Sequence, residues 1–154
     1  MAFILESPGF TDGGAIPASY TCQGSDQSPL LRWKNSPAGT KSFALIVDDP
    51  DAPVGIWVHW VLYDIPASAS AINQGVPPQE ILPDGSKQGV NDFGKIGYGG
   101  PCPPKGKPHR YFFKLYALDN QPALKPRATK KELEQAMEGH ILSTAELMGT
   151  YQRS

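Results

Sequence analysis

Long apolar runs and basic clusters are both absent from this sequence of 154 residues. No segment approaches the ~18 consecutive apolar residues of a membrane-spanning helix, so we expect no integral membrane contact. The first residues lack the basic start and apolar stretch of a secretion signal, so a cytoplasmic protein is predicted. The 14 basic residues are scattered among 15 acidic ones. We therefore expect no nucleic-acid partner.

Cysteine is scarce, which limits both metal binding and crosslinking. Cys22 and Cys102 lie far apart in the sequence, and neither has another cysteine or a histidine close by. Since zinc sites need clustered ligands, the sequence predicts no metal and no other cofactor. A reducing cytosol keeps thiols free, so we expect two free cysteines, with a disulfide as the alternative.

Glycine and proline are frequent instead, with 16 of each. They fall between short apolar runs, a placement typical of β-strands joined by long, stiff loops. With 40% hydrophobic residues, a chain of this length buries roughly two-thirds of its unfolded surface. We therefore predict a single domain over residues 1–154.

Apolar periodicity predicts the strands. Segments 42–49 and 57–65 are apolar on both faces, as expected for interior strands, and segment 111–118 is a third strong candidate. Two shorter strands are predicted at 3–5 and 30–33. Alternation along the second strand puts one set of side chains on a common face, namely Trp57, His59, Val61 and Tyr63. Segment 66–96 is long for a structureless loop, so short strands or functional loops are expected within it.

Helix signals occur only near the C-terminus. Thr129-Lys130-Lys131-Glu132 is a capping box, and Gly139 ends the helix that it starts. Ser143-Thr144-Ala145-Glu146 has the same form, so a second short helix is predicted there. No helix pattern separates the central strands, which disfavours a βαβ fold. The sequence therefore predicts a mostly β fold, a sandwich of antiparallel or mixed sheets with two short C-terminal helices.

Two stretches place a histidine beside a rigid loop at the edge of a predicted strand. In the first, three aspartates and two prolines precede the apolar run that contains His59. In the second, the Gly/Pro loop at 97–108 leads to His109 and the strand after it. Acids, histidines and rigid turns in such positions are more typical of a ligand site than of a purely structural segment.

These stretches resemble the two signatures of the phosphatidylethanolamine-binding protein (PEBP) family, also called Raf kinase inhibitor protein-like, in its bacterial and archaeal branch. Asp49-Pro50-Asp51-Ala52-Pro53 followed by Val58-His59-Trp60 matches the first signature. Gly100-Pro101-Cys102-Pro103-Pro104 followed by His109-Arg110-Tyr111 matches the second. Two long signatures in the right order are a specific signal, and shorter matches such as Asn91-Asp92-Phe93-Gly94 extend the resemblance over nearly the whole chain.

The resemblance implies a PEBP-like β-sandwich whose small surface pocket binds an anion such as phosphate, a phosphorylated headgroup or acetate. It implies a non-catalytic, regulatory binding protein, and, as the alternative, a kinase or protease inhibitor that uses the pocket rim. Bacterial members pair, so a homodimer is expected. The pocket residues carried over by position are Asp49, Pro53, Trp57, His59, Gly100, Pro101, His109 and Tyr111.

Roles for these residues follow as hypotheses. Asp49 accepts a ring N–H of His59 and fixes its tautomer, while His109 supplies a second donor. Backbone amides around Gly99 and Gly100 add further donors to the anion. For Tyr111, ligand contact and core packing both stay open.

Other charged residues are assigned mainly structural roles. Asp51 and Arg110 are expected to pair and lock the two signature loops together. Asp48 and Asp64 are expected to be solvated or turn-forming, and His140 to be structural.

Catalysis has weak support in the sequence. Two histidines and a carboxylate suffice in principle for a metal-dependent enzyme, but the close spacing of a typical metal motif is missing. No serine occupies a Gly-X-Ser-X-Gly turn either. We therefore predict that the protein is not an enzyme.

Overall fold

Two antiparallel sheets pack face to face in the computed structural model, which describes residues 1–154. The smaller sheet has the order β1-β2-β5, formed by β1 (Ile4–Glu6), β2 (Leu31–Lys34) and β5 (Ala71–Ile72). The larger has the order β6-β4-β3-β7-β8, formed by β3 (Ser42–Ala52), β4 (Gly55–Pro66), β6 (Lys87–Gln88), β7 (His109–Leu118) and β8 (Ile141–Tyr151). The five strands predicted from periodicity are confirmed, and β5 and β6 are the short strands expected within segment 66–96.

The core explains why β3 and β4 are apolar on both faces. The larger cluster lies between the sheets and joins Leu31 and Trp33 of one sheet to Phe43 and Phe113 of the other. The smaller cluster lies on the opposite face of the larger sheet, beneath helix α1 (Lys130–Met137). Strands covered on both faces need apolar side chains at successive positions. The structure has no helix with the length and apolar character needed to cross a bilayer.

A β-bulge at His59 breaks the predicted alternation along β4. Asp48 pairs with Val58 and Val47 pairs with Trp60, so one residue of β4, His59, has no opposite number on β3. Beyond the bulge, Val61 and Tyr63 lie on the opposite face of the sheet and pack in the smaller cluster. The prediction of one common face was therefore wrong beyond His59. Bulges commonly redirect a side chain at a functional site.

The C-terminal segment forms one helix instead of the two predicted. The capping box at Thr129 is confirmed, because its side chain accepts the Glu132 N–H and the Glu132 carboxylate accepts the Thr129 N–H. The second predicted helix was wrong, since its residues belong to β8, which pairs with β7 along its length. Ala145 and Leu147 of β8 are buried in the core between the sheets. This non-local burial outweighs the local capping pattern.

Tyr63 fastens the segment before α1 to the larger sheet. Its hydroxyl donates to the Lys125 carbonyl and accepts the N–H of Ala128 at 3.2 Å. Tyr63→Phe is therefore expected to lower the free energy of unfolding by about 2 kcal/mol, because a buried amide loses its partner. Urea denaturation measures the change, with Tyr116→Phe on β7 as the matched control. Equal losses in the two variants would contradict this role for the Tyr63 hydroxyl.

Candidate functional site

A cavity of about 260 Å³ opens where the β3–β4 hairpin meets the loop before β7. Six of the eight predicted site residues line it: Asp49, Pro53, Trp57, His59, His109 and Tyr111. Six further residues complete the lining: Ala52, Val54, Phe93, Cys102, Pro103 and Pro104. All of these except Val54 lie within stretches that matched the family pattern, so the sequence did carry a signal for them.

Asp49 orients His109, which corrects the hypothesis that it pairs with His59. One carboxylate oxygen lies 2.7 Å from Nδ1 of His109, and the other accepts the Asp51 N–H at 2.7 Å. Both side chains are buried. Because β7 lies beside β3, the first residue of β7 reaches the end of β3 more directly than the bulged residue of β4 does. With Nδ1 bound to the carboxylate, Nε2 is the ring nitrogen of His109 without a protein partner.

His59 is held by a backbone carbonyl instead. Its Nδ1 lies 2.6 Å from the oxygen of Gly99, and since a carbonyl only accepts, Nδ1 carries the hydrogen. Burial lowers the pKa of His59 from its ordinary 6.5, against the opposing effects of the Gly99 carbonyl and the Asp49 charge. The imidazole is therefore neutral at pH 7, and its Nε2 is a hydrogen-bond acceptor.

Aromatic rings fix the position of the His59 imidazole. The rings of Phe93 and Tyr111 contact it edge-on, with centroid distances of 5.4 and 5.1 Å. Burial and the Asp49 charge raise the pKa of Tyr111 well above its usual range, so its hydroxyl stays protonated and able to donate. Tyr111 also packs in the larger core cluster, so the core-packing interpretation is confirmed, and contact with a ligand stays a prediction.

The glycine amides have partners within the protein, contrary to the prediction that they face a ligand. The N–H of Gly99 donates to the His59 carbonyl, and that of Gly100 donates to the Asp26 carboxylate, both at 2.9 Å. Gly100 lines a neighbouring cavity instead, and the carbonyl of Pro101 accepts the Cys22 N–H. These two predicted site residues therefore shape the loop and do not line the cavity.

Asp51 and Arg110 join the two signature stretches, as predicted. The guanidinium binds the carboxylate with two hydrogen bonds of 2.8 and 2.9 Å, and the Arg110 N–H adds a third of 3.0 Å. These hydrogen bonds lower the pKa of Asp51 to about 2. Bidentate pairs of this kind fix the relative orientation of the groups that they join. Neither residue lines the cavity.

The two cysteines form a disulfide, so the prediction of free thiols was wrong. Cys22 and Cys102 are brought to a Cα–Cα distance of 5.4 Å by the packing of two loops that are distant in sequence. Spacing along the chain does not reveal such proximity. Because Cys102 also lines the cavity, the crosslink ties one wall of the cavity to the loop that carries Cys22.

The remaining charged candidates have structural partners. Asp48, expected to be solvated, is instead buried beside Lys130 at 3.0 Å and Lys114 at 3.4 Å. Asp64, expected to be solvated or turn-forming, instead lies within β4, where the pairing with β3 is irregular, and its carboxylate pairs with Lys87 at 2.8 Å. His140 pairs with Asp119 at 2.8 Å, away from the cavity.

Comparison with known proteins identifies the family. The model of the phosphatidylethanolamine-binding protein family matches residues 6–152. The chain belongs to the PEBP family. It is 52% identical over 149 residues to a UPF0098 protein of Methanothermobacter thermautotrophicus, covering 97% of this chain and 98% of that one. A UPF0098 protein of Aquifex aeolicus is 50% identical over 149 residues, covering 96% and 86% of the two chains.

Solved structures agree with this assignment. The crystal structure of CT736, a PEBP homolog from Chlamydia trachomatis, superposes with a TM-score of 0.91 at 42% identity, covering 99% of each chain. Escherichia coli YbcL, described as a member of the mammalian PEBP family, superposes with a TM-score of 0.93 at 35% identity over 100% of both chains. The predicted PEBP-like β-sandwich is thereby confirmed, apart from the second C-terminal helix.

The cavity of this PEBP-family chain combines few polar groups with apolar walls. His59 and His109 each leave one ring nitrogen unpaired, and Tyr111 adds a hydroxyl donor. Trp57 lies at the wall, whereas Trp60 is fully buried and donates to Gln88. No group of three or more His, Cys, Asp or Glu side chains is arranged to hold a metal ion.

Proposed function

We propose that this cavity binds a small anion of the phosphate or phosphoryl-headgroup class and that the protein acts by binding, without catalysing a reaction. The observation that carries the proposal is that His59 and His109 are held in the same way. Each imidazole is fixed through Nδ1, by the Gly99 carbonyl and the Asp49 carboxylate respectively, and each keeps Nε2 for a ligand. Two fixed nitrogens in one small concave site supply the few oriented polar groups that a ligand site needs.

The protonation of the ligand complements the neutral form of His59. Since burial lowers the pKa of His59, its Nε2 accepts a hydrogen bond at pH 7. A singly protonated phosphate group offers both a hydroxyl for this nitrogen and charged oxygens to which the Tyr111 hydroxyl can donate. The Asp49 carboxylate is compatible with this anion because its oxygens are already bound to His109 and to the Asp51 N–H.

Cavity size selects a small ligand. A volume of about 260 Å³ lies just below the ~300–1,000 Å³ of sites for drug-sized ligands. Inorganic phosphate and phosphoethanolamine both suit this volume, whereas an acyl chain of a lipid would have to stay outside.

Isothermal titration calorimetry with phosphate and phosphoethanolamine tests the proposal. Because such small ligands gain at most ~1.5 kcal/mol per heavy atom, we expect a Kd of about 0.1–1 mM for phosphate. The matched control is His140→Ala, which removes a histidine outside the cavity and should leave the Kd unchanged. Absence of saturable heat with both ligands would overturn the proposal.

Sulfate affinity is expected to rise as the pH falls below 6.5. Sulfate has no proton to donate, so it binds well only when Nε2 of His59 is protonated and becomes a donor. Since the pKa of His59 is lowered from 6.5 by burial, protonation and tighter binding occur below that pH. Where sulfate binding is accompanied by the uptake of one proton, we expect the sulfate affinity to rise about tenfold for each unit by which the pH falls.

Tryptophan fluorescence measures this pH dependence, because Trp57 lies in the cavity wall while Trp33 and Trp60 are buried in the core. In Trp57→Phe, the fluorescence change on sulfate binding should disappear, whereas the sulfate affinity measured by calorimetry should stay the same. A sulfate affinity that stays constant between pH 7 and pH 5 would contradict the assignment of His59 as the titrating ligand contact.

A second candidate function, inhibition of a kinase or protease, is favoured by the apolar rim. Val54 is 78% exposed at the cavity edge, and nearby Ile56 and Phe93 are 57% and 41% exposed. Exposed apolar side chains beside a ligand site offer contact area to a protein. Affinity purification tests this function, since a partner should be retained by the native chain and lost with Val54→Ser/Ile56→Ser. Homodimerisation stays a prediction that light scattering tests.

A further inference from the structure

One wall of the cavity is weakly attached to the rest of the chain. The segment 101–108, here called the wall loop, contains four prolines, which have no N–H to donate. None of its other backbone N–H groups donates a hydrogen bond within the chain. It accepts two, at the Pro101 carbonyl from the Cys22 N–H at 3.1 Å and at the Gly106 carbonyl from Gln152 at 2.6 Å. Besides the packing of the buried Pro101 and Pro103, the Cys22–Cys102 disulfide is the main tie of this segment.

The sulfur atoms differ in their surroundings. Cys22 is exposed, whereas Cys102 is only partly exposed. The guanidinium of Arg153 lies 4.0 Å from the sulfur of Cys102. A nearby cation favours the thiolate form of a cysteine, and a disulfide is cleaved more readily when the departing sulfur is a stabilised thiolate. Attack at the sulfur of Cys22, the more exposed of the two residues, with Cys102 leaving, is thus the favoured direction.

We propose that the Cys22–Cys102 disulfide is a thiol–disulfide exchange site, through which a dithiol reductant loosens the wall loop and weakens anion binding. One thiolate of the dithiol bonds to the Cys22 sulfur, and the electron pair of the broken S–S bond leaves with Cys102. The second thiol of the reductant then displaces Cys22 and closes the reductant's own disulfide. Two electrons and two protons pass from the dithiol to the protein, which ends with two thiols.

Reduction acts on the wall and not on the base of the site. The residues just before the wall loop stay fixed by the N–H groups of Gly99 and Gly100 and by the Tyr98 hydroxyl, which donates to the Tyr20 carbonyl at 2.6 Å. His59 therefore keeps its position. Cys102, Pro103 and Pro104, which line the cavity, become mobile and must be ordered again when an anion binds. Ordering a few residues in this way weakens binding about tenfold.

The test compares the oxidised protein with the same protein reduced by dithiothreitol and with Cys22→Ser/Cys102→Ser, all confirmed as folded by circular dichroism. We expect phosphate to bind about tenfold more weakly to both forms that lack the disulfide. Reoxidation of the native chain should restore the affinity. Heteronuclear NMR relaxation should show new nanosecond motion at Lys105, Gly106 and Lys107. If the double variant does not fold, the reduced native chain alone decides the comparison.

Each outcome of this test has a separate meaning. Equal phosphate affinity in the oxidised and reduced proteins overturns the inference, even though phosphate binding itself would then support the proposed function, on which the inference rests. No phosphate binding to the oxidised protein refutes the proposed function. In that case the relaxation data decide whether reduction frees the wall loop, and an unchanged loop overturns that step as well.

The role of Arg153 is tested by the rate of reduction. Arg153→Gln should react several-fold more slowly with dithiothreitol, whereas Arg153→Lys should retain most of the native rate because it keeps the charge beside Cys102. Identical rates for the native chain and Arg153→Gln would overturn the proposed direction of exchange.

Discussion

Replacing His59 and His109 together with alanine is expected to weaken phosphate binding at least a hundredfold, beyond the range of calorimetry. Each hydrogen bond to a charged group contributes about 1.5–3 kcal/mol, so losing two of them costs roughly 3 kcal/mol or more. Both imidazoles face the same cavity, and its lining contains no lysine or arginine that could replace them. Isothermal titration calorimetry with phosphate gives the measurement.

Controls separate lost ligand contacts from lost structure. Alanine at position 109 leaves the buried Asp49 carboxylate without its imidazole partner, so His109→Asn, which restores an N–H donor near Asp49, is the better single variant. His140→Ala again serves as the histidine control outside the cavity. Phosphate binding that survives in a folded His59→Ala/His109→Ala variant would refute the proposed role of the two imidazoles.

Gly100→Ala is expected to lower the free energy of unfolding by about 3 kcal/mol, the cost of forcing an extra carbon into a packed site. A Cβ at this position would lie 2.3 Å from both the Tyr20 carbonyl oxygen and the Asp26 carboxylate. The Tyr20 carbonyl cannot move away freely, because it also accepts the Tyr98 hydroxyl. Gly100 thus allows two backbone segments to approach each other, which is a structural role and not a ligand contact. Urea denaturation measures the loss.

Gly99→Ala provides the matched comparison. A Cβ at Gly99 would meet the ring of Phe93 at 2.6 Å, but this side chain is 41% exposed and has room to rotate. We therefore expect a smaller loss of stability than for Gly100→Ala, together with altered anion affinity, because Phe93 lines the cavity. If Gly99→Ala destabilises the protein as much as Gly100→Ala, the distinction between a rigid and a movable neighbour is wrong.

The parts of the fold that local pattern encodes were predictable from the sequence. The two-sided apolar runs of β3 and β4 and the capping box at Thr129 depend on neighbours in the chain, and the structure agrees with them. The capping-box pattern at Ser143 was misleading, because pairing with β7 across the sheet decides the structure of that segment. Register is another non-local property, which is why the bulge at His59 escaped prediction.

Six of the twelve residues that line the cavity were predicted from the sequence, but their hydrogen-bond partners were not. The signature stretches brought Asp49, His59 and His109 into one cavity, as expected. Which histidine Asp49 binds depends on strand order, and the Cys22–Cys102 disulfide depends on the packing of two loops. The N–H groups of Gly99 and Gly100 were wrongly assigned to a ligand. The sequence does not show that the His59 carbonyl and the Asp26 carboxylate already accept their hydrogen bonds.

Nitrogen-15 NMR of the imidazole side chains during a phosphate titration tests directly whether His59 and His109 hold the anion. We expect saturable shifts at Nε2 of His59 and His109, smaller shifts at their Nδ1 atoms, which keep their partners, and no shift at His140. Half-saturation is expected at a phosphate concentration of about 0.1–1 mM, the Kd expected for so small a ligand. Shifts that do not saturate, or that are equal at all three histidines, would contradict the claim that the two cavity imidazoles hold the anion.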